Sequence, residues 1–329
     1  MTVTASAPTR VDLAGGTIDI WPLYLFHPGA QTLNAAISLR ARVRLEARSD
    51  DRLVLVSHDL GVATGPLAYD ELPGEATLPL LAKLAHAFGA RGLTVTTDSQ
   101  APAGAGIAGS SALNIAVTAA LARWTGRGLD DDALLEVAKN VEAQVIGVPT
   151  GLQDYRPALY GGVAAVELDV HGARRVPLAI DHGELSARLV VCYTGAPRQS
   201  GINNWDITKR RIDGDVEVIR CFDEIVQAAH AMRAALERGD WTAAGSCLAA
   251  EWQTRKQLAP GVTTPEIDAL LAAATAAGAW AGKVCGAGGG GCVFVLAPPD
   301  RTAAVRESWA RSGATVLDAV VDPAGVIVN

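Results

Sequence analysis

The sequence predicts a protein of the α+β class divided into two domains, and three observations carry that prediction. The chain has 329 residues, beyond the length at which a single hydrophobic core stops growing. Short β-like runs and helical stripes follow one another along it, with no internal repeat of about 20–50 residues. The stretch HGARRVPLAIDHGE (residues 171–184) shows no clear period, so a boundary is placed there, with one domain over residues 1–180 and the other over 181–329.

The elements follow in order. Ala41–Ala47, Leu53–Ser57 and Leu93–Thr97 read as strands, and Leu78–Phe88 as a helix between them. Leu113, Val117, Ala120, Leu121 and Trp124 recur at helical spacing until Gly126 stops the run. Asp130–Asp132 cap a second helix with the stripe Leu134, Ala138, Val141 and Val145. Val163–Leu168 and Leu189–Tyr193 read as strands, Trp205–Leu258 as helical with charged faces, Pro265–Ala277 as a helix and Cys292–Leu296 as a strand.

Composition narrows the function classes. With 49% hydrophobic and 19% charged residues the chain is no disordered segment. A net charge of −7 gives no basic footprint for nucleic acid. No apolar run is long enough to span a bilayer, and MTVTASAPTRVDLAGG lacks the features of a secretory signal. Cys192, Cys221, Cys247, Cys285 and Cys292 are odd in number and contain no C-x-x-C, so reduced thiols in a cytoplasmic protein are expected. The histidines form no H-E-x-x-H, which argues against structural zinc.

APAGAGIAGSSAL, residues 101–113, half-fits two phosphate-loop patterns. Gly104, Gly106 and Gly109 satisfy G-x-G-x-x-G, but the acidic residues about 20 positions on open a helix rather than end a strand, which weakens an NAD-dependent oxidoreductase. A Walker A loop needs a lysine where Ser110 stands. What survives is a small-residue loop opening into a helix, whose N–H groups and partial positive charge suit an anion, or else a serine-capped turn with no ligand.

Three further stretches belong with it. In APTRVDLAGGTIDIWP, residues 7–22, Arg10, Asp12 and Asp19 flank a glycine pair; the plainer alternative is a turn with solvated strand residues. In EAQVIGVPTGLQDYRPALYGG, residues 142–162, Glu142 flanks an apolar stripe and needs a partner or a metal, and Asp154 lies in a Gly/Pro-punctuated loop. In KVCGAGGGGCVFVL, residues 283–296, the glycine run suggests backbone passing close to something, or tight interdomain packing.

Taken in order, A-P-x-R-x-x-L-x-G-G, P-x-G-x-G-I-x-G-S-S-A and K-x-x-G-A-G-G-G-G resemble the three signature motifs of the GHMP kinases, a superfamily of galactokinase, homoserine kinase, mevalonate kinase and phosphomevalonate kinase. LAGGTID, GLQDYRPALYGG, YTGAPRQS and residues 264–291 are most similar to its heptose-7-phosphate kinase and fucokinase-like branch. The resemblance implies a ribosomal protein S5 domain 2-like N-terminal domain, a ferredoxin-like C-terminal domain and ATP-dependent phosphorylation of a hydroxyl on a sugar or sugar phosphate. It implies ATP held by Pro102, Gly104, Ala105, Gly106, Ile107, Ala108, Gly109, Ser110 and Ser111. It makes Ser110 and Glu142 the Mg²⁺ ligands, Asp154 the catalytic base and Arg10 the cation beside it. Asp19, with Thr17, Gly288 and Gly289, falls to the substrate.

Departures from the pattern stand at Ala108 and Gly109, at Cys285, and at Thr17 and Ile18, where the family has glycine and serine, serine or threonine, and Gly-Thr. The alternatives are a kinase of another small alcohol such as a mevalonate-type acid, against which Arg10 in place of lysine argues, and a non-catalytic relative, which should have lost Asp154 or Glu142. Arg198, Lys209, Arg210 and Arg211 either hold a substrate phosphate or form a solvated helix start. The partner expected is a small sugar or sugar phosphate, with no nucleic acid and no membrane, and the chain is expected to be a monomer or homodimer.

Overall fold

The computed structural model describes residues 1–197 and 204–329. Its elements run β1 Thr2–Ala14, β2 Gln31–Ala47, β3 Leu53–Ser57, β4 Val62–Ala63, α1 Pro79–Ala87, β5 Leu93–Ser99, α2 Gly109–Thr125, α3 Asp131–Ile146, α4 Tyr155–Tyr160, β6 Val163–Asp169 and β7 Gly172–Pro177. They continue with α5 His182–Ser186, β8 Leu189–Tyr193, α6 Asn204–Ile212, α7 Val216–Glu237, α8 Trp241–Arg255, α9 Pro265–Ala276, β9 Ala281–Val284, β10 Cys292–Leu296, α10 Thr302–Arg311, β11 Thr315–Leu317 and β12 Ile327–Val328. The expected strands and helices are present, Ala41–Ala47 as the last part of a β2 that begins at Gln31, and the class is α+β.

Among the described residues two sheets form. The first has the order β12-β1-β2-β5-β3-β4, with β6 added on β2 and β7 on β6. The second has the order β11-β8-β10-β9. The aperiodic stretch at the expected boundary is in part a strand, β7, antiparallel to β6. The tail returns to the first sheet, where Val320 and Val321 bond to β2 and β12 pairs with β1.

One irregularity positions the site. Val3, Ala5 and Ala7 of β1 join the core under α1, α2 and α3. The register against β2 shifts between Pro8 and Thr9, and beyond it the same parity, Val11 and Leu13, joins a different core shared with α7, α8 and the second sheet. A register slip exchanges the faces of a strand, and Pro8, which has no N–H to donate, sits where the ladder is already broken. Arg10 and Asp12 therefore share one face of β1 and turn toward the cleft between the layers.

Local chemistry fixes the helices around that cleft. Asp130 caps α3 by accepting from the Ala133 N–H at 2.8 Å, with Asp131 and Asp132 in the first turn complementing the helix dipole. α2 begins at Ala108, whose φ of 61° is left-handed, and ends at Gly126, φ 70°. Thr264 caps α9, and Pro265 takes the first helical position, where its missing N–H is not needed.

Candidate active site

Arg10 and Asp154 are 144 residues apart in sequence and in contact in space. The Arg10 guanidinium donates from Nε and Nη2 to Asp154 Oδ1, at 2.9 and 2.6 Å, and from Nη1 to the Gly106 carbonyl at 2.9 Å. Burial works against the charge of Arg10, but the pull of Asp154 and Asp12 outweighs it and holds the guanidinium more firmly protonated than usual. Asp154 occupies the N-cap position of α4 without capping it. Both bonds from Arg10 fall on Oδ1, and among the described residues Oδ2 has no partner; the side chain is 29% exposed, against 2% for Arg10.

Glu142, on α3, is 7% exposed. Ser110 donates to its Oε1 at 2.9 Å, and Ser111 to its Oε2 at 3.2 Å. The Tyr155 hydroxyl donates to Oε2 as well, and burial together with Glu142 pushes that phenol well above its ordinary pKa. No basic side chain pairs with Glu142 among the described residues. Arg10, Glu142 and Asp154, with residues 101–106 and 108–111, line a cavity of about 440 Å³, to whose wall Leu60, Leu78, Leu81 and Leu113 add apolar surface. Ile107 does not line it; its side chain is in the core, and its carbonyl accepts from the Arg10 N–H at 3.0 Å.

Asp19 is buried one step away. Its Oδ2 accepts from the backbone of Leu152 and Gln153, at 2.6 and 2.8 Å, while Oδ1 has no partner. Burial pushes its carboxyl up to about 6, the neighbouring charge of Asp154 adds to this, and the two backbone N–H groups oppose it.

The two glycine loops close on each other. A Cβ on Gly106 (φ +73°) would lie 2.8 Å from the Cys285 carbonyl, and one on Gly291 (φ +81°) 2.6 Å from the Ala105 carbonyl. Cys292 N–H donates to the Ala105 carbonyl at 2.6 Å, so only glycine fits where the loops cross. Gly288 packs on Val262, and Gly289 donates to its carbonyl at 3.1 Å. Thr17 has a φ of 75°, and its hydroxyl accepts from Arg255 at 3.4 Å.

The basic cluster after residue 197 divides. Arg198 lies outside the described residues. Arg210 bonds Asp215 and the Leu258 carbonyl, Arg211 bonds His27 and the Phe26 carbonyl, and Lys209 is exposed. Asp12, far from solvated, is fully buried against Lys283 and the Gly286 amide. Glu251 and Arg255, which join that contact, carried no motif in the sequence. The available signal was their place on the buried stripe of α8 with Ala244 and Leu248.

Comparison with known proteins decides the family. The profile of the GHMP kinases N terminal domain matches residues 76–162, and that of the GHMP kinases C terminal domain matches residues 232–315. The chain belongs to the GHMP kinases. This GHMP kinase is 29% identical over 312 residues to D-glycero-alpha-D-manno-heptose 7-phosphate kinase of Campylobacter jejuni subsp. jejuni, covering 91% of each chain. It is 26% identical to a galactokinase of Mycobacterium tuberculosis, covering 96% of this chain and 94% of that one. Among solved structures, a D-glycero-D-manno-heptose 1-phosphate kinase from Bacteriodes thetaiotaomicron superposes with a TM-score of 0.79 at 25% identity, covering 99% and 98%. No helix among the described residues is long and apolar enough to cross a membrane.

Proposed function

We propose that this GHMP kinase transfers the γ-phosphoryl group of ATP to a hydroxyl of a heptose phosphate or a closely related sugar phosphate. The observation that carries the reading is the Arg10–Asp154 pair, which lines the cavity with one carboxylate oxygen occupied and the other without a partner among the described residues. The substrate class rests on the heptose phosphate kinases among its relatives, which differ between themselves in which phosphate the acceptor already carries.

The chemistry follows from the groups present. Asp154 Oδ2 accepts the proton of the acceptor hydroxyl as that oxygen bonds the γ-phosphorus, and the bond to the bridging oxygen breaks to release ADP. Arg10 holds Asp154 in orientation through its two hydrogen bonds. The small-residue loop before α2 cradles the phosphates at the helix N-terminus, and the leucines of the cavity wall take the base. Asp19 Oδ1, a buried acceptor without a donor, receives a substrate hydroxyl.

Glu142 is a buried carboxylate ringed by hydroxyls with no cation beside it, and this oxygen-only donor set fits a hard divalent ion. Glu142 and Ser110 would hold Mg²⁺, which would supply positive charge to the phosphate oxygens. Because Ser111 also donates to Glu142 and is buried, Ser110, exposed at the cavity, is the hydroxyl that can turn outward.

The test is ADP release with Mg·ATP against heptose 7-phosphate, heptose 1-phosphate, fucose, galactose and mevalonate, with Asp154→Asn alongside. Turnover with a heptose phosphate, falling about 10²–10⁴-fold in Asp154→Asn while nucleotide binding persists, is expected. Turnover unchanged in the variant removes Asp154 from the role of base.

A further inference from the structure

Four charged side chains with no place in the transfer step form one buried circuit. Lys283 Nζ donates to Asp12 Oδ2 and to Glu251 Oε1, both at 3.0 Å. Arg255 donates from Nε to the same Glu251 oxygen at 2.9 Å, and its Nη2 bonds it too. Asp12, Glu251 and Lys283 are 0% exposed and Arg255 2%. The set is charge-balanced, two carboxylates against two cations.

Both ends of the circuit reach the cleft. At one end Asp12 Oδ1 accepts from the Gly286 amide at 3.2 Å, the first residue of the glycine run that crosses Gly104–Gly106. At the other end Arg255 donates to the Gly16 carbonyl at 3.0 Å and to Thr17, in the turn that leads to Asp19. Asp12 also lies two residues from Arg10 on the same face of β1. The phosphate side of the cleft and the acceptor side are thus tied through α8 and β9, elements that line neither.

We propose that Lys283 is a positioning residue for phosphoryl transfer, acting through Asp12 and Glu251 to hold the 286–291 glycine run in register with the turn that carries Asp19. This rests on the kinase reading above. Transfer requires the acceptor oxygen and the γ-phosphorus to meet in line, and a misplacement of about 1 Å costs on the order of 10²-fold in rate. The phosphate-holding loop itself gains no side chain from the circuit, so nucleotide affinity should be indifferent to it.

The experiment compares wild type, Lys283→Met and the charge-balanced double variant Asp12→Asn/Lys283→Met, which leaves the Glu251–Arg255 pair intact and keeps an acceptor for Gly286. Melting temperature, kcat, the KM for both substrates and ADP affinity are measured on each. In the folded variants kcat is expected to fall at least about 30-fold while ADP affinity moves less than about threefold, a split that lost stability alone does not produce. A double variant that is folded and turns over within about threefold of wild type overturns the proposal. So does one that loses the fold, because the circuit then serves stability alone. Wild-type protein that phosphorylates no acceptor refutes the kinase reading and takes this proposal with it, whereas an active wild type with unimpaired variants refutes only the proposal.

Discussion

Two clusters of buried charge lie side by side on β1, and they are built on opposite plans. The cluster around Arg10 sets one cation among three carboxylates, Asp154, Glu142 and Asp19, and leaves Asp154 Oδ2 and Asp19 Oδ1 without donors. The cluster around Asp12, two residues on, matches two carboxylates with two cations, and only Glu251 Oε2 lacks a partner. Each cluster keeps one buried acceptor without a donor, Asp19 Oδ1 and Glu251 Oε2, at a cost in stability; what sets the first apart is that Asp154 lines the cavity, where under the proposed reading a substrate hydroxyl completes its unpartnered oxygen.

The sharpest way to break this comparison is to unbalance the closed cluster. Arg255→Met leaves Asp12 and Glu251 sharing Lys283 and frees the Gly16 carbonyl of its donor. Removing one partner from a buried charge set typically costs about 3–5 kcal/mol, and urea unfolding should show a loss of that order. A loss under about 1 kcal/mol would mean that solvent or another cation reaches Glu251, and the distinction between a closed and an open cluster would fail.

The open cluster predicts the opposite sign. The Asp19 carboxyl, ordinarily near 3.8, is raised to about 6 by burial, so the native state keeps this proton over a range where the unfolded chain has released it. The stability it contributes is present in full below about pH 4 and is lost as pH rises through about 6, on the order of 3 kcal/mol in all. Asp19→Asn carries no such charge, and its amide still accepts from Leu152 and Gln153. The variant should therefore be more stable than wild type at pH 7.5, by up to about 3 kcal/mol, converge with it near pH 4, and lose acceptor binding. Parallel stability curves from pH 4 to 8 would show that Asp19 is not ionised at a cost.

The open cluster was legible in the sequence, whereas of the closed one only Asp12 and Lys283 lay in motifs and Glu251 and Arg255 did not, for a physical reason. Arg10, Ser110 and Asp154 lie in glycine-punctuated motifs that resemble the family's, Glu142 flanks an apolar helix stripe just before one, and the fold brings the four to one cavity. Glu251 and Arg255 sit at i and i+4 on a helix, the usual arrangement of a solvated surface pair, and only the packing of α8 against β9 reveals that their face is inward. β1 escaped for a related reason: its alternation is confined to Thr2–Ala7, and beyond the register shift at Pro8 the strand is covered on both sides and shows none. The returning tail is joined by two-residue pairings with strands some 300 positions earlier, as Ala5 with Val328, which no local pattern can announce.

The smallest effect tests a departure in the phosphate loop itself. Ala108 stands where the family has glycine, and the backbone keeps the conformation that glycine favours, with φ 61°. A left-handed alanine costs roughly 1–2 kcal/mol, whereas glycine there is unstrained but loses about 0.4–1 kcal/mol more chain entropy on folding. The balance favours Ala108→Gly by about 0.5–1 kcal/mol, a rise on the order of 2 °C in Tm for a chain of this size. Nucleotide affinity should not fall, because the N–H groups of the loop keep their directions. A lower Tm would show that the Ala108 methyl, at the wall of the cavity, contributes packing that exceeds the strain. The open cluster would then lean on its loop more than its unfilled acceptors suggest.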